Sequence, residues 1–169
     1  MPFISRLFLK TGVIYLILSM MLFLAIQIPG SGFSRVWLPV FYHMLMVGWV
    51  TQIIFGVAIW MFPGIPVTRT DRRGPGSKAP DTGKKLPTKG SLPVHYTVYV
   101  LLNVGLLLRW MFEPIVDGGL AATGLSVPPG HPLHTAAALF LPLSGLLQVL
   151  AFGGFAWQIW PRVRGKRNA

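Results

Sequence analysis

The chain has no cysteine. That excludes a disulfide framework, a thiolate metal site and covalent attachment of a c-type haem. Acid is scarce as well: 4 Asp or Glu stand against 15 Lys or Arg in 169 residues. Charged residues of both signs make up only 11% of the chain, while 53% is hydrophobic and the mean hydropathy is +0.60. A soluble domain is excluded by that balance. No catalytic nucleophile stands out. A transporter reading finds neither a carboxylate inside the apolar segments nor a pair of broken helices.

What is present is four apolar runs, each near the roughly 20 residues needed to cross a bilayer. They cover about Gly12–Pro29, Val36–Phe62, Val94–Phe112 and His134–Trp160. The fold class expected is all-α, an integral membrane four-helix bundle forming one domain over residues 1–169. The first run is not a convincing signal peptide, because it is long and the following Gly30-Ser31-Gly32 is a poor cleavage site. Pro142 is expected to kink the fourth helix. Trp37, Trp110, Trp157 and Trp160 fall near segment ends, as an aromatic belt requires.

The formal net charge of +11 lies in the connections, not on a folded face that would read nucleic acid. Arg6 and Lys10 precede the first run. Arg69, Arg72, Arg73, Lys78, Lys84, Lys85 and Lys89 lie between the second and third, and Arg162, Arg164, Lys166 and Arg167 follow the fourth. Only Arg35 and Arg109 lie elsewhere. The positive-inside rule makes these regions cytoplasmic, so both termini are expected inside. Attraction to anionic lipid, about 1 kcal/mol per basic residue near the surface, accounts for the excess. The Pro/Gly/Lys-rich loop 65–92 has too few apolar residues to form a core and is expected to contribute little to stability.

The polar residues that interrupt these runs are the functional candidates. His43 lies well inside the second run, where an ionisable group is expensive and is read as functional by default. Imidazole is also a usual axial ligand of haem iron. On the same side of the bilayer the sequence places His134, in the first turn of the fourth helix, and Arg109, near the end of the third. The small residues Ala138 and Gly145 follow His134 on its face, with room for a macrocycle, and Arg109 is suited to a propionate. His43 is therefore a candidate iron ligand, His134 a candidate second ligand and Arg109 a cofactor-binding cation. Plainer roles compete: an interhelical hydrogen bond for His43, an interfacial position for His95, His131 and His134, and pairing with Glu113 for Arg109. At 100° per residue His43 shares a stripe with Val47, Val50, Ile54, Val57 and Met61. Gly48, Gln52 and Gly56 form the opposite stripe, which predicts close packing on a neighbour plus an interhelical hydrogen bond from Gln52.

The stretch from His43 through Gly48-Trp49, Phe55-Gly56 and Met61-Phe62-Pro63 resembles the second-helix motif of short four-helix proteins similar to subunit I of C-type haem-copper oxidases and nitric oxide reductases. Leu101–Arg109 resembles that group's third helix, and Leu147–Arg164 its last. The resemblance implies a piece of the oxidase-type bundle in a prokaryotic cytoplasmic membrane, with His43 holding a b-type haem in an electron-transfer complex. A full catalytic subunit has more helices and a set of helix histidines for copper. Copper, and reduction of oxygen or nitric oxide by this chain alone, are therefore not expected. The alternative from another class is a cofactor-free accessory subunit on a larger respiratory or photosynthetic membrane complex. In a variant, His43 ligates the magnesium of a chlorophyll.

Overall fold

The structure is a computed structural model describing residues 2–31, 33, 35–62, 92–118 and 127–163. The loop at 65–91 lies outside the described residues. Four helices are long and apolar enough to cross a membrane, and the described residues contain no strand. α1 is Phe3–Gln27, α2 is the continuous span Arg35–Met61, α3 is Leu92–Val116 and α4 is Pro132–Val163. The end that carries Gln27, Arg35, Val116 and Pro132 is called upper below, and the opposite end lower.

Each helix departs from its sequence-based bounds for a physical reason. α1 starts at Phe3, not near Gly12, because Ile4, Ser5 and Phe8 are buried in the bundle and hold the added turns in place. It ends in a turn at Gly30, whose φ of +79° is a left-handed conformation that glycine adopts without strain. α3 continues past Glu113-Pro114 to Val116. Pro114 supplies no N–H, yet Asp117 N donates to Glu113 O and Gly118, at φ +72°, closes the helix. At the start of α4 the Leu133 N–H is accepted by His131 Nδ1, so His131 caps the helix. α4 then runs through both Pro142 and Pro161.

α2 is not one uniform α-helix. A 3₁₀ turn, Arg35–Trp37, leads into α-helix Leu38–His43. A π-helix follows over Met44–Thr51, and α-helix resumes over Gln52–Met61. The Thr51 hydroxyl donates to Met46 O, five residues back, matching the wider i→i+5 spacing of the backbone.

α1 and α2 form one antiparallel hairpin, and α3 and α4 a second. Down the first hairpin, Phe23 meets Phe41, Gly48 lies under Tyr15, Gly12 faces Trp49 and Ile53, and Gly56 faces Ser5 and Phe8. The Ser5 hydroxyl donates to Gly56 O. The predicted glycine stripe of α2 is thus its seam with α1. Down the second hairpin, Phe112 stacks on Phe140, Gly105 lies against Ser144 and Gln148, and Gly154 lies against Val98.

The apolar cluster that joins the hairpins lies in the lower half. The core cluster comprises Ile4, Phe8, Phe55, Ile59, Val98, Leu102, Ala151 and Phe155. Phe55 stacks on Phe155 at 3.6 Å, and Phe8 meets Tyr99 edge-on. Polar ties reinforce the joint. Thr11 donates to Leu7 O, so the 2.7 Å bond between Thr11 and Tyr99 has the phenol as donor. Gln52 Nε2 donates to Asn103 Oδ1, the interhelical bond expected of Gln52. Outward faces such as Ile17, Met21, Val149 and Trp157 remain apolar and exposed, as lipid contact requires.

Candidate functional site at the upper end of the bundle

His43 is half-buried, at the last α-helical residue before the π-helix. Its Nδ1 lies 2.8 Å from Pro39 O, one turn back. A carbonyl can only accept, so Nδ1 carries the proton. Nε2 of the neutral ring then holds the lone pair. A backbone carbonyl on one ring nitrogen also fixes the orientation of histidines that bind metal through the other.

The π-helix changes which way His43 faces. In a plain α-helix, nine residues place His43 opposite Gln52. A π-helix turns less per residue, and over its eight residues the lag amounts to roughly 100–140°. His43 is swung from the far face to a flank. Along the expected stripe His43, Val47, Val50 and Val57 are half-buried, whereas Ile54 and Met61 are exposed. The inward positions are Val40, Met44, Gly48, Gln52 and Gly56.

The Gln52–Asn103 bond sets the register between α2 and α3. The π-helix rises less per residue than the α-helix, so nine residues toward the upper end on each helix leave His43 somewhat below Phe112, near the level of Arg109. Phe112 stacks on Phe140 at 4.7 Å, which brings in α4 at the same depth. Arg109 and Glu113 flank Phe112. His134 lies six residues beyond Phe140, roughly 9 Å further toward the upper end. The three sequence candidates share one end of the bundle, with His43 and Arg109 close in depth and His134 above them.

Arg109 is engaged. Its Nε and Nη2 donate to Glu113 Oε1 at 3.2 and 3.1 Å. The Glu113 side chain is 6% exposed and that of Arg109 26%. Glu113 Oε2 is buried and makes no hydrogen bond. An intramembrane carboxylate therefore exists, contrary to expectation, because α3 extends one turn past Phe112 and carries Glu113 inward. The pair cancels its own net charge but leaves the guanidinium further N–H groups.

His95 lies near the lower end, at the start of α3, and is 4% exposed, with Gln158 Nε2 at 3.4 Å from its Nδ1. Its separation from the upper-end group agrees with the sequence reading. Two further features were missed: the π-helix, for which no residue pattern was recognised, and Asn103, a polar residue in an apolar run that could have been matched to Gln52. Among the described residues no group of three or more His, Cys, Asp or Glu could hold a metal ion. No protein family, curated protein or solved structure matches the chain.

Proposed function

We propose that this four-helix membrane protein binds a b-type haem through His43 Nε2 and works as a small subunit of an electron-transfer assembly. The observation that carries this reading is the Nδ1–Pro39 O bond, which leaves Nε2 as the ring's lone-pair nitrogen on a half-buried helix face. The residues present fit such a group: an imidazole ligand, apolar surroundings, and Arg109 with N–H groups left for a propionate. When bound, haem supplies one-electron transfer. Around it the chain's own part is to orient the imidazole through Pro39 and to keep a guanidinium close in depth. His134 lies higher than His43, so His43 would be the residue of this chain that holds the group. The positive-inside rule, applied to the basic loops, supports a topology with both termini on the cytoplasmic side, and the resemblance supports a prokaryotic cytoplasmic membrane.

The test is an absorption spectrum of purified protein, oxidised and dithionite-reduced, beside His43→Ala. Wild type should show a b-type haem spectrum. The variant should insert normally and lose it. Pigment retained in His43→Ala, or none in wild type purified with its native complex, overturns the reading.

A second reading, a cofactor-free accessory subunit, is favoured by α4. A Cβ added at Gly145 or Gly153 would meet nothing within 4 Å. The exposed Val149 lies between them on that face, so a partner's helix has close access to the backbone. A colourless native complex in which α4 cross-links to another subunit supports this alternative.

A further inference from the structure

Two buried glutamines on different helices each lack a hydrogen-bond partner at one atom. Gln52 on α2 is 0% exposed and its Oε1 accepts nothing. Gln148 on α4 is 7% exposed and its Nε2 donates to nothing. One atom is an acceptor and the other a donor.

Their positions bring them to one depth. Phe55 follows Gln52 by three residues and Phe152 follows Gln148 by four, spacings that keep each pair on one helix face. The two phenylalanine rings touch, with centroids 5.5 Å apart. The glutamines therefore lie one turn above a direct contact between α2 and α4, on the faces that make it. α3 supports both. Asn103 accepts from Gln52 Nε2 at 3.0 Å, and a Cβ added at Gly105 would be 3.0 Å from Gln148 Cγ.

We propose that Gln52 Oε1 and Gln148 Nε2 hold one buried water between α2 and α4, near the middle of the membrane. The water accepts from Gln148 Nε2–H and donates to Gln52 Oε1. Its second proton has an acceptor in Ser144, one turn from Gln148. The Ser144 hydroxyl is fully buried and gives its own proton to Leu141 O, leaving its lone pairs free to accept. Three protein partners are what a retained internal water requires. Both glutamine atoms are closed off from the surface, so lipid does not reach them. The resulting seam runs from Gln148 through water to Gln52, Asn103 and, by a 2.8 Å bond from Asn103 Nδ2, to Tyr99 O. It adds a polar tie between α4 and α2 to their aromatic contacts. The proposal does not depend on haem.

The test uses the full chain in lipid nanodiscs with side-chain amide labelling of glutamine. The Gln148 amide protons should show a magnetisation-transfer peak to long-lived water, lost in Gln52→Leu. A wild-type Gln148 amide with no such peak overturns the proposal, and this arm needs no variant to fold. A peak unchanged in Gln52→Leu also overturns it. In a double-mutant cycle with Gln52→Leu and Gln148→Leu, the unfolding equilibrium should show coupling of about threefold, the usual size of a hydrogen-bonded pair in a membrane bundle. Additive effects count against the water bridge.

Discussion

Replacing Gly48 by alanine probes the tightest contact between α1 and α2. The new Cβ would lie 2.7 Å from Tyr15 Cγ and 2.9 Å from both Tyr15 Cβ and Cδ1. Carbon atoms rest at about 3.5–4.0 Å, so a shift of about 0.8–1.3 Å is needed. Rotating the Tyr15 ring does not supply it, because Tyr15 Cβ is anchored to the backbone. The helices must separate, and that loosens Gly12 on Ile53 and Gly56 on Phe8, which leave gaps of 3.3 and 3.1 Å to an added Cβ. Overpacking of this kind costs about 1–3 kcal/mol. Alanine's better helix propensity returns up to about 1 kcal/mol. With the full propensity gain the net expectation is a loss of about 0–2 kcal/mol, against a gain for an unhindered glycine. Gly145→Ala is the matched control, since its Cβ meets open space and keeps only the propensity gain. Equilibrium unfolding of both variants in mixed micelles gives the comparison. The reasoning fails if Gly48→Ala is as stable as Gly145→Ala.

The ion pair in α3 should respond asymmetrically. Arg109→Leu strands a carboxylate that is 6% exposed and should cost about 3 kcal/mol, the low side for a broken buried pair because Arg109 is itself 26% exposed. Glu113→Gln should cost less, since the 26% exposed guanidinium can reach the interface. Unfolding midpoints in the same micelles rank the two variants, and the reverse order would refute this account. For topology, protease should cut at Arg72-Arg73 in inverted vesicles and not in intact cells; cleavage from outside would reverse the orientation.

The polar residues show how far sequence reading reaches. Gln52 in an apolar run had to find a partner on another helix, and it does. Gly48 and Gly56 had to mark a close approach, and they face α1. Pairing of Arg109 with Glu113 was legible from their i, i+4 spacing. The identity of Gln52's partner was not, because Asn103, Gln148 and other polar side chains satisfy the same rule until the register is known. The partner of His95 was not legible for a similar reason: what packs over a histidine at a helix start depends on register, and Gln158 lies 63 positions away in the chain.

The sequence by itself determined four segments long and apolar enough to cross a membrane, because burying backbone in hydrocarbon leaves helix as the local solution. It also set the clustering of His43, Arg109 and His134 at one end, since depth follows from counting residues along each helix. Only the tertiary structure decided the facing of those side chains. The π-helix at Met44–Thr51 turns His43 by a third of a revolution or so, and local propensity does not encode it. The burial of Glu113 and the long reach of α1 and α4 likewise depend on neighbours. The physical reason is one of scale: hydropathy is a sum over single residues, whereas rotation, register and burial are set by contacts between helices.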